Sequence, residues 1–409
     1  MSPVLPFDII YLIIHIVGEN EDTNLLKELA LVSHSFHQIC SKHLFATVEL
    51  HDANPKRNVA SSKKGFVKLL NSRPDVVKYI RKLTYEMEYS SYYPGNDDEL
   101  LSPILPNFLR TIPSLNYLII CPSQWLYWNE LNSSLTSAFL HLMHLPTVNH
   151  IDLSWITHFP LSNFNPSVNL HRLDIFAVVP SDPIQDGEPE DGSFEFVRSG
   201  MMPKLREFHI SWSDRMAEQL LLAKGQDGRP AFNFTNLVGI SMPLTEIERD
   251  ERNIRYVLQK AKFIEKLHIS VERGRRLVGL RDVLSLRART LKVLDLTVSL
   301  HVYRESIFLG GICEVLEALA GRNVLEVLSL KVRLSGYERE TLIGSIIQKV
   351  EKVLVKPGWS ALRIVSFKLE SPCHKRVKFS ESLQSLPDKY LSHLSKLDSV
   401  AFNYSAEVL

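Results

Sequence analysis

The chain has 409 residues, 45% of them hydrophobic and 23% charged, with a net charge of +1 at neutral pH. That length exceeds one average domain, although an elongated repeat array could hold most of it. The near-zero charge excludes an overall field that would gather nucleic acid or an anionic membrane.

The first patterned stretch is Leu5–Val48, LPFDIIYLIIHIVGENEDTNLLKELALVSHSFHQICSKHLFATV, which holds three short helical patterns. Pro6 stands where a helix takes its first residue, since its missing N–H would go unpaired there anyway. Ile9, Ile10, Ile13, Ile14, Ile16 and Val17 follow, and Gly18 supplies a stop. These apolar positions cover more than one stripe, so the helix is expected to be contacted on two sides. Asn24 is placed to cap a second helix carrying Leu25, Leu26, Leu29 and Ala30. Ser33 is placed to cap a third, with Phe36, Ile39, Cys40 and Leu44 at helical spacing. The run Ile9–Val17 is too short to span a membrane and contains His15, and the start lacks the marks of a signal peptide. A soluble intracellular protein, cytoplasmic, nuclear or both, is expected.

This stretch resembles an F-box. Leu5-Pro6 matches the family's opening, Ile9-Ile10 and Ile13 its aliphatic first helix, and Leu31-Val32-Ser33-His34-Ser35-Phe36 its third-helix motif. Phe36 departs from the Trp often found there, and the connector Gly18–Asp22 is more acidic than many. The resemblance covers about an eighth of the chain. It implies a Skp-family adaptor as partner, and through it a cullin, with adaptor contacts at Leu5, Pro6, Ile9, Ile10, Ile13, Leu31, Val32 and Phe36. Some of these must hold the three helices together, and the sequence does not separate the two groups. An ordinary buried helical hairpin is the plainer alternative.

Leu50–Lys64 is polar, contains Pro55 and lacks periodicity, so it reads as a linker. Beyond it the hexapeptide apolar-x-x-apolar-x-apolar recurs, starting at Ile80, Leu115, Val148, Leu170, Leu205, Leu237, Ile264, Leu291, Leu325, Leu362 and Leu397. The steps between starts are 35, 33, 22, 35, 32, 27, 27, 34, 37 and 35 residues, the spacing of a solenoid. Alternation at the fourth and sixth positions predicts one strand per repeat. Helical faces fill several gaps: Leu135, Phe139 and Leu142; Ile254, Val257, Leu258 and Ala261; Ile312, Val315, Leu316 and Leu319; and Leu342–Val353. Strand then helix, repeated, implies a parallel sheet with helices on its outer face. The pattern resembles the leucine-rich repeats that follow many F-boxes, but the Asn that normally follows the strand is missing from most copies. A ragged solenoid is therefore expected, some repeats helical and others only loops. Pro180–Gly192 reads as a mobile acidic loop, and Gly225–Pro230 as a turn-rich connector.

Candidates for chemistry are thin. No phosphate-binding glycine loop, zinc-protease or nucleophile-elbow motif is present. Cys40, Cys121, Cys313 and Cys373 lie far apart, which argues against disulfides or a zinc cluster and suits a reducing compartment. His34 and His37, like His141 and His144, are three apart, but no further ligands accompany them. Cys373-His374 is a poor nucleophile–base pair because adjacent side chains rarely face each other. No catalytic set, metal or cofactor is expected. Arg273, Arg275, Arg276, Arg281, Arg287 and Arg289 crowd one segment that could bind an acidic peptide or form a solvated helix face. On the strands, the positions between buried ones should line a concave face. They include Lys82 and Thr84, Tyr117 and Ile119, His150 and Asp152, Arg172 and Asp174, Glu207 and His209, Lys266 and His268, and Val293 and Asp295.

The expected fold is α/β: a short all-helical F-box over residues 1–49, a linker over 50–64, and an irregular leucine-rich-repeat-like solenoid with a parallel sheet over 65–409. By resemblance, the expected function is substrate recognition in a Skp–cullin–F-box ubiquitin ligase. The target protein would be held at Asp152, Asp174, His209, His268, Asp295, Arg275 and Arg276, with no nucleic acid and no membrane involved. The alternative is a non-catalytic repeat scaffold whose N-terminal helices only cap the solenoid.

Overall fold

The structure, a computed structural model, describes residues 6–20, 22–51, 62–87, 104–164, 167–181, 195–196, 203–225, 230–244, 247–271, 280–300, 305–321, 323–334, 340–371, 383–391, 393–394 and 399–408. Its helices are α1 (Phe7–Glu19), α2 (Thr23–Ala30), α3 (His34–Leu44), α4 (Lys63–Ser72), α5 (Ile104–Arg110), α6 (Ser133–Met143), α7 (Asp214–Leu222), α8 (Ile247–Lys260), α9 (Leu280–Ser285), α10 (Glu305–Leu319), α11 (Glu340–Leu354) and α12 (Leu386–Tyr390). The strands are β1 (Thr47–Leu50), β2 (Lys82–Met87), β3 (Tyr117–Pro122), β4 (Leu126–Tyr127), β5 (His150–Phe159), β6 (Arg172–Pro180), β7 (Glu195–Phe196), β8 (Glu207–Ser211), β9 (Lys224–Gly225), β10 (Gly239–Leu244), β11 (Lys266–Val271), β12 (Val293–Leu300), β13 (Val327–Leu334), β14 (Ile364–Ser371) and β15 (Ala401–Val408). The chain divides into two compact units, Met1–Pro203 with Lys224–Ala231, and Lys204–Ala223 with Phe232–Leu409.

In the first unit, α1, α2 and α3 close around Ile14, Leu26, Ile39 and Cys40, with Ile10, Val17, Leu29, Phe36 and Leu44 at the margin. Three local expectations need correction. Pro6 precedes the helix instead of opening it, and its carbonyl accepts from the Ile9 and Ile10 N–H groups at 3.0 and 3.2 Å. The cap of α2 is Asp22, which accepts from the Leu25 N–H at 3.0 Å, because Asn24 already lies inside the first turn. Gly18 sits within α1 and does not end it; any side chain there would overlap the His43 ring of α3. Ser33 caps α3 as expected, accepting from the Phe36 N–H at 3.3 Å.

The same unit builds a parallel sheet in the order β1-β2-β3-β5-β6, with β4 also paired to β5. The hexapeptides stand in one register: Leu83 opposite Leu118, Leu118 opposite Ile151, and Ile151 opposite Leu173. The first strand belongs to the same series. Phe45-x-x-Val48-x-Leu50 is a further copy of the motif, spanning the end of the helical stretch and the start of the expected linker. The ends of the expected linker are structured too. Leu50 and His51 are buried, His51 bridges Ser62, and Ser62 caps α4 through the Gly65 N–H at 3.0 Å. Helices cover the face bearing the sixth positions: Tyr85 of β2 meets Phe139 of α6 edge-on at 4.9 Å. Between β5 and β6 the 22-residue step leaves no room for an α-helix, and a 3₁₀ turn at Leu161–Phe164 takes its place.

The second unit repeats the design with β8-β10-β11-β12-β13-β14-β15, all parallel. Leu267, Leu294, Leu328 and Val365 stand opposite one another across β11–β14 and are all buried. Each fully buried aliphatic side chain is worth roughly 1.5–3 kcal/mol. The helical faces read between strands are buried as well, including Ile254, Val257 and Leu258 of α8 and Val315, Leu316 and Leu319 of α10. Short α7 buries Met216, Leu220 and Leu221, as α4 of the first unit buries Phe66, Val67 and Leu70.

Gly18→Ala tests the closeness of α1 and α3. Alanine is the better helix former by about 1 kcal/mol, yet overlap with His43 should outweigh that gain and lower stability by roughly 1–3 kcal/mol. Chemical denaturation of the two chains measures the sign.

Candidate functional site

Two surfaces concentrate the candidate residues, and both lie in the first unit. On α1, Ile14 is 1% exposed and points into the three-helix core, while Ile10 packs at its edge. One residue before each, the helix turns outward. Ile9 is 44% and Ile13 46% exposed, with Phe7, Leu12 and Ile16 also open. The α2–α3 turn adds Leu31, 87% exposed, and Val32. The set expected to meet an adaptor therefore separates. Pro6, Ile9, Ile13, Leu31 and Val32 are exposed, and Ile10 and Phe36 serve the module's own core. Leu5 lies outside the described residues. Of the two sides of α1 expected to be contacted, the Ile10–Ile14–Val17 side packs into the three-helix core, and Ile9 and Ile13 on the other are exposed among the described residues.

The second surface is the polar face of the sheet, where third and fifth hexapeptide positions point. Lys82 places its Nζ 4.9 Å from the Tyr117 ring centre, and Tyr117 stacks on His150 with centroids 3.6 Å apart. His150 Nε2 donates to Asp174 Oδ2 at 2.8 Å, and Arg172 Nε reaches the same carboxylate at 3.0 and 3.2 Å. Asp152 stands directly opposite Asp174 in register and accepts from the Ser154 hydroxyl at 3.4 Å. Burial first, then the Asp174 charge, hold the Asp152 carboxyl above the usual carboxylate range, against the opposing pull of His150 and Arg172. The Tyr117 phenol is pushed up to about 12 by burial and by the charges of Asp152 and Asp174, so it remains a donor at neutral pH.

Where β5 leaves this ladder it carries two irregularities. Trp155 has φ 57° and His158 φ 54°, both in the left-handed region that costs non-glycine residues about 1 kcal/mol or more. Each steps the strand by one residue, so that Ile156 and then Phe159 return to the core and are fully buried. Released from that pattern, Trp155 packs edge-on against Phe176 at 5.2 Å and against Trp125 at 5.2 Å. Tyr127 stacks on His158 at 5.8 Å. Trp125 and Tyr127 are open to solvent.

In the second unit, His268 of β11 stands opposite Asp295 of β12, and His209 lies half-buried on β8. Burial pushes the His268 imidazole down, aided by Arg333 and Lys331 and opposed by Asp295. Lys331, Arg333 and Lys368 converge on the buried Glu370 carboxylate at 2.7, 3.2 and 3.3 Å. Burial raises the Glu370 pKa, but these three donors outweigh it and hold the carboxyl below its ordinary range. The arginine cluster does not act as one group among the described residues. Arg287 donates to the Leu258 and Gln259 carbonyls at 2.7 and 3.2 Å, closing the end of α8. Arg281 and Arg289 are exposed, and Arg273, Arg275 and Arg276 lie outside the described residues, as does Cys373-His374.

The paired histidines have ordinary partners. His34 accepts from Gln38 at 3.1 Å, His37 accepts from Arg73 at 3.1 Å, and His144 donates to the Asn163 carbonyl at 2.7 Å. Among the described residues no three His, Cys, Asp or Glu side chains converge to hold a metal, and no helix is long and apolar enough to cross a membrane. No family model and no curated protein matches the chain. The site-bearing residues missed in the sequence, Trp125, Trp155, Phe176, Lys331, Arg333, Lys368 and Glu370, lie mostly beyond the sixth hexapeptide position. The strands simply run longer than the motif that reveals them.

Since burial disfavours its charge, Asp152 binds a proton more readily in the folded chain than in the unfolded one. Its ionisation therefore costs stability as pH rises through the raised pKa. Asp152→Asn is expected to melt higher than wild type at about pH 7 and to lose that advantage near pH 3, below the ordinary carboxylate range. Thermal unfolding at the two pH values checks it.

Proposed function

We propose that the chain is a substrate-recognition subunit of a Skp–cullin–F-box ubiquitin ligase. In this reading the N-terminal helices are an F-box that binds a Skp-family adaptor, and through it a cullin. The strands and helices that follow form an irregular leucine-rich-repeat-like solenoid whose polar face holds the target protein. The chain performs no chemistry itself: it holds a target beside a ubiquitin-loaded partner and so raises the effective concentration of the reacting groups. Its setting is the cytoplasm, the nucleus or both.

The observation that carries the reading is the open apolar face of α1. A helix whose far side already fills a core has no structural need for Phe7, Ile9, Leu12, Ile13 and Ile16 in water. Clustered exposed aliphatics of this kind are the ordinary centre of a protein interface. Ile9 and Ile13 belong to the set in which the stretch resembles an F-box, and in this reading Leu31 and Val32 supply the second contact. The capping alternative draws on α3, whose His37 accepts from Arg73 at the end of α4 and which leads directly into β1. A cap made by α3 leaves the α1 face unused, so the two readings differ only in what α1 does.

Ile9→Asp combined with Ile13→Asp puts charge on the open face without entering the core. The wild-type chain is expected to be retained by an immobilised Skp-family adaptor. The double variant should bind at least tenfold more weakly, a loss of about 1.4 kcal/mol or more, with unchanged circular dichroism. Failure of the wild type to bind leaves a scaffold.

A further inference from the structure

The polar ladder of the first unit ends in a feature that target recognition in general does not require. Trp125, Trp155 and Phe176 are set ring against ring, nearly perpendicular, with centroids 5.2 Å apart at each step and interplanar angles of 84° and 72°. Phe176 lies opposite Ser154 in register, and Ser154 in turn donates to Asp152. Phe176 also follows Asp174 by two residues on the same strand face, a distance of about 6–7 Å. Rings and carboxylates are thus contiguous over the reach of one long side chain.

The charges there are unequally served. Arg172 and His150 both go to Asp174, whereas among the described residues no ion pair reaches Asp152, which is bonded to the neutral hydroxyls of Ser154 and Tyr117. An anionic ligand would meet two adjacent carboxylates. A purely apolar one would seal the half-buried Asp152 from water without compensation, which is costly. A cation with a flat, weakly hydrated face suits both halves of the site. Guanidinium lies against an aromatic ring while its N–H groups donate to a carboxylate. The same face already seats one cation on a ring, Lys82 over Tyr117.

We propose that Trp125, Trp155, Phe176 and Asp152 receive an arginine side chain presented by the bound protein segment. The inference rests on the reading of the sheet face as the recognition surface and narrows the target to one with an accessible arginine. The αL backbone at Trp155 is what brings its ring to this face, since an unbroken strand would point it into the core.

Fluorescence polarisation of the full chain with a fluorescein-labelled peptide of four Gly-Ser-Arg units tests it at physiological salt. A control peptide carries citrulline, of the same shape without the charge, at each arginine. The chain's overall charge is +1, so no general attraction favours the cationic probe. The arginine peptide is expected to bind at least about tenfold more tightly than the citrulline peptide, with Asp152→Asn and Trp155→Ala each weakening it about tenfold. Trp125→Ala, which removes an exposed ring, stands in should Trp155→Ala fail to fold. Equal binding of the two peptides overturns the proposal, as do wild-type affinity in the folded Asp152→Asn and Trp125→Ala variants and no wild-type binding up to about 1 mM peptide. The Ile9 and Ile13 substitutions leave this assay unchanged. Arginine binding without adaptor capture therefore sinks the ligase reading alone, and adaptor capture without arginine binding sinks this one alone.

Discussion

The carbonyl at the second position of one hexapeptide accepts two N–H groups, from the second and third positions of the next. Ala46 receives Arg81 and Lys82, Arg81 receives Asn116 and Tyr117, and Asn116 receives Asn149 and His150. The second unit does the same, from Arg206 with Val238 and Gly239 to Glu326 with Arg363 and Ile364. The connections vary widely in length, but each strand enters at the same step. A slip of one residue would turn every aliphatic of that strand to water. Fixed register is what allows uneven connections, because an extra turn of helix or a missing one never reaches the ladder.

Constancy on one face gives freedom on the other. With the fourth and sixth positions committed to apolar side chains, the third and fifth are free to carry polar and charged ones. In the first unit they hold a stacked Tyr117–His150 pair and two facing carboxylates. Asp152 shows that this freedom has limits. Its charge is opposed both by burial and by its neighbour, so the fold tolerates it without gaining from it. A group held against the interests of stability is a stronger functional candidate than one that is paired, and this places Asp152 ahead of Asp174.

The apolar period made the sheets legible in the sequence, since eleven spaced hexapeptides share one register and burial enforces it. The same period was missed at Phe45–Leu50 because the boundary between the helical stretch ending at Val48 and the linker starting at Leu50 cuts the motif in two. Caps were legible where one side chain fitted, as at Ser33, and misread where two candidates stood close together, as with Asp22 and Asn24. The division of α1 into an inner and an outer face was not legible, since isoleucines occupy both. The aromatic group of Trp125, Trp155 and Phe176 was out of reach for a different reason. Its members come from β5, β6 and the loop before β4, and the backbone conformation that turns Trp155 outward leaves no compositional mark, there being no glycine at that position.

The two left-handed residues of β5 also set how this strand can change in length. Trp155 and His158 each add one residue without a partner in the alternation, and together they restore the original parity by Phe159. An insertion or deletion of one residue between Leu153 and Phe159 would invert everything downstream of it, sending Phe159 to solvent. Removing both extra residues together would leave a regular strand of the same sense, shorter by two. Length variants of this segment should therefore be tolerated in pairs, and the aromatic site would vanish with the pair that creates it.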